Sequence, residues 1–338
     1  MLGQIGAGLD ACDRPAFVIG AAVDRAGAWD DVVSLAERHN ARVYVAPMSG
    51  RCGFPEDHPL FAGFLPAMRE KIVELLCGHD LIFVLGAPAF TYHVEGSGPH
   101  VPDGAMLCQL IDDPNVAAWT PAGIAAVGNI QLGVLDLLAR AAPTARALPA
   151  PRAPSPRAEP SEIMSVAFAL QTLAEVRDVA DIIVEEAPSS RPVMQTYLPI
   201  TRSGTFYTMD SGGLGYGMPA AVGVALAKPG ARVIGLIGDG SSMYSIQALY
   251  SAVQLKLPIT FVVLNNARYA ALQDFAPVFG FAATDPVQGT DLPGIDFVAL
   301  AAGMGCKGLR VTDAARLRDV LDDALRSPGP MLVEIVVA

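Results

Sequence analysis

The strongest constraint on how this chain can fold lies in residues 232–269, RVIGLIGDGSSMYSIQALYSAVQLKLPITFVVLNNARY. Residues 233–237 form a continuous apolar run, as expected of a strand buried on both faces of a parallel sheet. The run stops at Gly238-Asp239-Gly240. Beyond it, the spacing of Ile246, Leu249, Val253 and Leu257 predicts a helix over 244–257, ended by Pro258. A second apolar run, 259–264, stops at Asn265-Asn266. Strand, crossover helix and parallel strand make a right-handed βαβ unit. Both polar clusters then fall at the carboxyl ends of neighbouring strands, where open α/β sheets bind ligands.

Residue types at that edge narrow the ligand. Asp239 offers a carboxylate, Asn266 an amide oxygen, and two turns add backbone carbonyls. These are hard oxygen donors, suited to Mg²⁺ or Ca²⁺ rather than zinc. Gly238 and Gly240 let backbone amides approach an anion, and Ser241 opens the helix, whose amino end favours phosphate. A divalent ion beside a diphosphate fits this set. Gly-Asp-Gly alone is an ordinary turn; the paired asparagines after the next strand make the difference.

This arrangement resembles the thiamine-diphosphate signature, which opens with GDG and closes with NN after a crossover of this length. The resemblance implies that Asp239, the Asn266 side chain and the Arg268 backbone carbonyl hold the metal against the diphosphate. Ser241 and Tyr244 would help to seat the phosphates, with Gly240 and Tyr269 completing that part of the cofactor site.

The rest of the chain reads as α/β throughout: two doubly wound, mostly parallel-sheet domains. With 338 residues there is length for two sizeable cores. Residues 1–141 form the first unit, with strand candidates at 15–20, 41–46, 81–85 and 106–111 and helical patterns at 30–39 and 68–76. The opening GQIGAG has no strand before it and reads as helix or arm, not as a cofactor loop. Residues 142–160 are rich in Ala, Pro and Arg and read as a linker whose arginines keep it solvated. Residues 161–338 form the second unit, with a helix at 161–174, a strand at 181–185, the central βαβ unit, a helix at 314–326 and a last strand at 331–337. The net charge of −11 argues against nucleic acid and anionic membrane as partners. Cys12, Cys52, Cys77, Cys108 and Cys306 are scattered, so neither a zinc nor a disulfide framework is expected, and a cytoplasmic setting fits. No apolar run reaches membrane-spanning length.

Residues 211–227, SGGLGYGMPAAVGVALA, remain open between a nucleotide loop and close helix packing with Pro219 in the first turn. No apolar strand is expected to enter them, since TFYTMD comes before. In thiamine enzymes the matching stretch supports the cofactor. Leu214 stands at the position of the apolar residue under the thiazolium, and Gly212 would offer its carbonyl to the pyrimidine.

Several longer stretches resemble benzoylformate decarboxylase and its relatives: APMSGRCGFPEDHPLFAGFLP from Ala46, VLGAPAFTYH from Val84, GLGYGMPAAVGV from Gly213 and DLPGIDFVALA from Asp291. VEEAPSS from Val184 is similar to that family's diphosphate-contacting strand end, with Ser189 the best-matched residue. A lone histidine after a strand is usually a satisfied loop residue. His93, however, closes GAPAFTYH, and the resemblance implies an acid/base role for it, while Phe275 matches a substrate-pocket aromatic. Thr208 and Pro188 depart from the family pattern, as does the loop 276–290, which bears on the choice of substrate.

The resemblance begins inside the family's middle domain. No segment matches the amino-terminal domain, which binds the aminopyrimidine and supplies the glutamate that activates the cofactor. The expected activity is decarboxylation of an aromatic or bulky 2-oxo acid to an aldehyde. The missing half would come from another chain or has been lost, and the expected partners are further copies in a homo-oligomer or a separate amino-terminal pyrimidine-binding chain. A non-catalytic cofactor-binding module and an acetolactate-synthase-like carboligase are the alternatives.

Overall fold

The computed structural model describes residues 1–141, 143–282 and 285–338. Residue 142, at the start of the expected linker, and residues 283–284, within the loop 276–290, lie outside the described residues. The chain divides into two units. One is Met1–Pro154 with Ile200–Gly204, and the other is Ser155–Pro199 with Thr205–Ala338.

Six strands make the sheet of the first unit: β1 Pro15–Ile19, β2 Arg42–Val45, β3 Phe61–Phe64, β4 Leu81–Leu85, β5 Met106–Ile111 and β6 Ile124–Val127. They lie in the order β3-β2-β1-β4-β5-β6, every pair parallel. β1 and β4 are buried along their whole length, as central strands between two helix layers must be. Phe17, Ile19, Val43, Phe83 and Leu85 fill the core on one face, and Val18, Ile82 and Val84 that on the other. The apolar runs therefore located β1, β2, β4 and β5, and missed the two edge strands. FAGF carries a register shift opposite β2, and IAAV is largely half-buried or exposed, so neither is a strong apolar run. The opening GQIGAG lies in a helix, Leu2–Ala11.

Residues 200–204 belong to this unit through two carboxylates. Glu56 accepts from the Ile200 N–H at 2.9 Å, and its own N–H donates to the Ile200 carbonyl at 3.0 Å. Asp24 accepts from the Ser203 hydroxyl at 2.7 Å and the Gly204 N–H at 2.8 Å.

The expectation that the linker arginines are merely solvated fails for Arg146. Its guanidinium donates to the carbonyls of Leu9 and Cys12 and lies 2.9 Å from Nδ1 of His39, while Asn40 donates to the Arg146 carbonyl. Proline density reports on regular structure and says nothing about one side chain finding several acceptors.

The second unit repeats the plan with β7 Ile182–Glu186, β8 Phe206–Thr208, β9 Val233–Gly238, β10 Ile259–Asn265, β11 Lys307–Val311 and β12 Met331–Val336. Their order is β11-β12-β10-β9-β7-β8, again all parallel. After β7 the chain goes outward to β8 and returns to β9 on the other side. Strand order thus reverses between β7 and β9, which opens a crevice at their carboxyl ends.

Three local expectations are corrected here. The helix expected over 244–257 is shorter, Ala248–Gln254, and is preceded by a run of turns and by a separate single helical turn, Asp239–Ser242. Hydrogen bonds three residues back, such as Tyr244 N–H to Ser241 and Ser245 N–H to Ser242, tighten the intervening segment, and the Ser242 hydroxyl donates to the Asp239 carbonyl. The helix expected from 161 begins at Val166, where Ser165 caps it by accepting from the Phe168 N–H. A strand does precede the glycine-rich stretch: β8, short and at the sheet edge. No helix among the described residues is long and apolar enough to cross a membrane.

His39 supplies a test of the first unit's packing. Its ring is almost wholly buried, and the Arg146 guanidinium can only donate, so Nδ1 accepts and the ring is neutral. Burial, then Arg146, lowers its pKa from 6.5 to about 4. The unfolded chain takes up a proton that the folded one refuses. The stability held by the neutral ring is therefore intact above about pH 6.5 and drains away as pH falls toward 4. Thermal unfolding followed across that interval is expected to lose stability less steeply in His39→Gln than in the native chain.

Candidate active site at the switch point of the second sheet

Register places the ends of three strands side by side. Glu186 of β7 is opposite Ile237 of β9, and Gly238 of β9 is opposite Leu264 of β10. Asp239 and Asn266 are the residues immediately beyond, so neighbouring strands deliver them to one spot.

Asp239 is buried. Its Oδ1 accepts from the Gly240 N–H at 2.7 Å and its Oδ2 from the Arg268 N–H at 3.2 Å. Burial raises its pKa, while the amides of Gly240, Arg268, Ala267 and Asn266 pull the other way. Beside it, Oδ1 of Asn266 is sealed from solvent and has no hydrogen-bond partner. An orphaned buried acceptor is costly unless something positive meets it. A carboxylate and an amide oxygen together suit a hard divalent cation, and the Arg268 carbonyl expected as the third donor belongs to the same turn. Among the described residues no cluster of three or more His, Cys, Asp or Glu gathers to hold a metal, so this mixed oxygen set is the candidate.

The neighbouring residues converge. Gly240 has the Tyr269 ring so close that a Cβ there would lie 2.4 Å from it. The Tyr269 hydroxyl has its pKa raised by burial, then by the nearby charges of Tyr244 and Asp239. Ser241 is buried and Tyr244 is exposed. Ser189 is half-buried in the turn between β7 and the helix Arg191–Tyr197.

Glu186 escaped sequence reasoning. Its Oε1 accepts from the Gly215 N–H at 2.6 Å, and its Oε2 accepts from the Gly217 N–H. Both oxygens are thus spent on the glycine loop that carries Gly212 and Leu214. Burial raises its pKa and those amides oppose the rise. Gly217 must be glycine, because a Cβ would lie 2.6 Å from Ile237 and 2.7 Å from Glu186. Of the two readings of these glycines, close helix packing is therefore visible at Gly217, which opens the helix Gly217–Ala227. Next to Glu186, Glu185 is wholly buried and accepts from the Ala187 N–H, Arg191 and Thr208. The signal that could have found both is a pair of glutamates ending a five-residue strand buried throughout.

Phe275 ends the helix Ala270–Phe275 half-buried, its ring edge-on to Phe279 at 5.4 Å. His93 belongs to the other unit. It is exposed in the connection between β4 and β5, where its N–H donates to the Ala67 carbonyl at 2.9 Å.

Comparison with known proteins agrees with this geometry. Residues 189–335 match the thiamine pyrophosphate enzyme C-terminal TPP binding domain, and residues 4–138 match the thiamine pyrophosphate enzyme central domain. The chain belongs to the thiamine pyrophosphate enzymes. It is 40% identical to benzoylformate decarboxylase of Pseudomonas aeruginosa over 99% of its own length and 63% of that protein's. A solved thiamine diphosphate-dependent 4-hydroxybenzoylformate decarboxylase of Rhodococcus jostii superposes with a TM-score of 0.94 at 37% identity, covering 99% of this chain and 63% of that one. Benzoylformate decarboxylase of Polynucleobacter necessarius gives 0.93 at 34%, with 100% and 64% covered. The chain therefore spans just under two thirds of these relatives.

Two substitutions test the site's construction. Ala267 sits at φ 57°, in the left-handed region. A residue with a Cβ loses roughly 1–2 kcal/mol there, and glycine gives back about 0.5–1 kcal/mol in chain entropy. Ala267→Gly is expected to raise stability by about 0.5–1 kcal/mol in denaturant unfolding. Glu186→Ala, which strands the buried N–H of Gly217 and the half-buried one of Gly215, is expected to lower it by about 2 kcal/mol or more, with Glu186→Gln intermediate.

Proposed function

We propose that this chain forms the middle and diphosphate-holding part of a thiamine-diphosphate-dependent decarboxylase of aromatic 2-oxo acids, benzoylformate among them. The observation that carries the reading is the partnerless, buried Oδ1 of Asn266 beside the Asp239 carboxylate at the sheet's switch point. The likeness to proteins named as benzoylformate and 4-hydroxybenzoylformate decarboxylases supports the substrate class.

In this reading Asp239, the Asn266 amide oxygen and the Arg268 carbonyl hold Mg²⁺, or Ca²⁺ in its place, against the diphosphate. Gly240, Ser241, Tyr244, Tyr269 and Ser189 seat the phosphates. Glu186 fixes the glycine loop, so that Leu214 is presented as an apolar support and the Gly212 carbonyl as an acceptor. Thiamine diphosphate, when bound, supplies the carbon nucleophile and electron sink that loss of CO₂ from a 2-oxo acid requires. His93 gives and takes a proton at its imidazole nitrogen as the aldehyde product forms, and Phe275 packs against the aryl group. In this reading the working assembly is a homo-oligomer, or a complex with a separate amino-terminal pyrimidine-binding chain that supplies the activating glutamate, in the cytoplasm.

Turnover decides among the readings. With Mg²⁺, thiamine diphosphate and benzoylformate, benzaldehyde is expected when the amino-terminal domain of a full-length relative is added and not from the chain alone. In that mixture His93→Ala is expected to lower kcat by on the order of 10²-fold or more. Cofactor binding with no aldehyde in either mixture would favour a non-catalytic module. Acetolactate from pyruvate would favour a carboligase.

A further inference from the structure

The connection that carries His93 is long and irregular. Residues 86–105, between β4 and β5, contain neither helix nor strand. Connections of more than about 12–15 residues without regular structure are uncommon in compact domains, and are usually functional or disordered. With no ladder or helix of its own, this one can be held only by what it packs against.

Its ends pack on the apolar core, and its middle, residues 92–98, is met by two adjacent residues, Arg69 and Glu70, in the first turn of the helix Arg69–Leu75. Arg69 is 9% exposed, unusually buried for an arginine. One of its terminal nitrogens donates to the Gly98 carbonyl at 3.4 Å and the other to the Glu95 carboxylate. The guanidinium carbon also lies 5.2 Å from the centre of the Tyr92 ring. One planar group thus meets the connection at residues 92, 95 and 98. An ammonium could not span these three contacts, since the match depends on a rigid fork with a stacking face. Glu70 accepts from the Ser97 N–H at 2.7 Å. Between these contacts Gly96 approaches so closely that a Cβ would lie 2.8 Å from both the Arg69 Cβ and a Glu70 carboxylate oxygen. Tyr92, fixed by Arg69 on its face, holds Nδ1 of His100 through its hydroxyl at 2.9 Å. His93 follows Tyr92 directly, and its N–H is tied to Ala67, two residues before Arg69.

We propose that Arg69 is a positioning residue: its guanidinium fastens residues 92–98 onto the start of the helix Arg69–Leu75 and so fixes where the His93 imidazole is held. The consequence for catalysis rests on the acid/base reading of His93; the fastening itself does not. Glu95 is largely exposed, so its ion pair is screened by solvent and is the weakest of the three contacts.

Hydrogen–deuterium exchange on the purified chain tests the fastening without cofactor or turnover. In Arg69→Ala the amides of 92–98 are expected to exchange roughly tenfold faster or more, with β4 and the melting temperature nearly unchanged. Arg69→Lys is expected to restore only a small part of the protection, and Glu95→Gln to lose little. Unchanged exchange at 92–98 in Arg69→Ala would overturn the proposal, and so would full protection in Arg69→Lys. Faster exchange spread equally over β4 would reduce Arg69 to a general stabilising residue and overturn it too. In the reconstituted decarboxylase Arg69→Ala is expected to lower kcat about tenfold with KM little changed, and to have no further effect in a His93→Ala background. An equal loss in that background would overturn action through His93. A His93→Ala enzyme as fast as the native one would sink the acid/base reading, while the exchange result still decides the fastening.

Discussion

The site of the second unit depends on a buried carboxylate whose two oxygens are held by backbone amides from two separate turns. Asp239 is removed from water at the end of β9, which on its own would drive it toward the neutral acid. Backbone amides from its own turn and from the turn after β10 hold it against that tendency. The arrangement needs β9 and β10 to be parallel neighbours in the observed register, since Arg268 arrives only from the far end of β10. It also leaves Oδ1 of Asn266 buried and unpaired. Two oxygens, one charged and one orphaned, share a dry corner. A bare protein gains nothing from such a corner, whereas a protein that binds a hard cation there does.

Two acidic residues at adjacent strand ends do different work for a physical reason. Glu186 and Asp239 both end or follow central strands, and burial raises the pKa of each. Glu186 has both oxygens engaged by the amides of Gly215 and Gly217, so it acts as a fixed post for the glycine loop. Asp239 also has both oxygens held by amides, but beside it lies an acceptor with no partner, Oδ1 of Asn266. Glu186 therefore fixes the glycine loop, while in the proposed reading the Asp239 side is the one that offers a ligand an open acceptor. The reversal of strand order between β7 and β9 puts both at one crevice.

Much of this was legible in the sequence because it is local. Uninterrupted apolar runs located β1, β4, β9 and β10 to within a residue, since a strand covered on both faces has no polar position to blur it. GDG and NN were found because each directly follows such a run. What was lost depends on partners distant in sequence or on competition within a segment. β3, β6 and β11 are short edge strands with mixed burial. The serines after Asp239 divert the backbone from a continuous helix that the apolar spacing alone would predict. Glu186 reads as an ordinary charge until its strand is seen to end against a loop some thirty residues later. Arg146 looked like a solvating residue because nothing in its proline-rich surroundings shows that Leu9, Cys12 and His39 lie within reach.

The central claim is that one cation, gripped by Asp239 and Asn266, anchors the diphosphate. Titration calorimetry of thiamine diphosphate into the purified chain, with Mg²⁺ and then with a chelator, addresses it most directly. The account predicts binding that requires the ion and that Asp239→Ala and Asn266→Ala each abolish while the fold persists by circular dichroism. Binding that is indifferent to the ion and to both substitutions would contradict it.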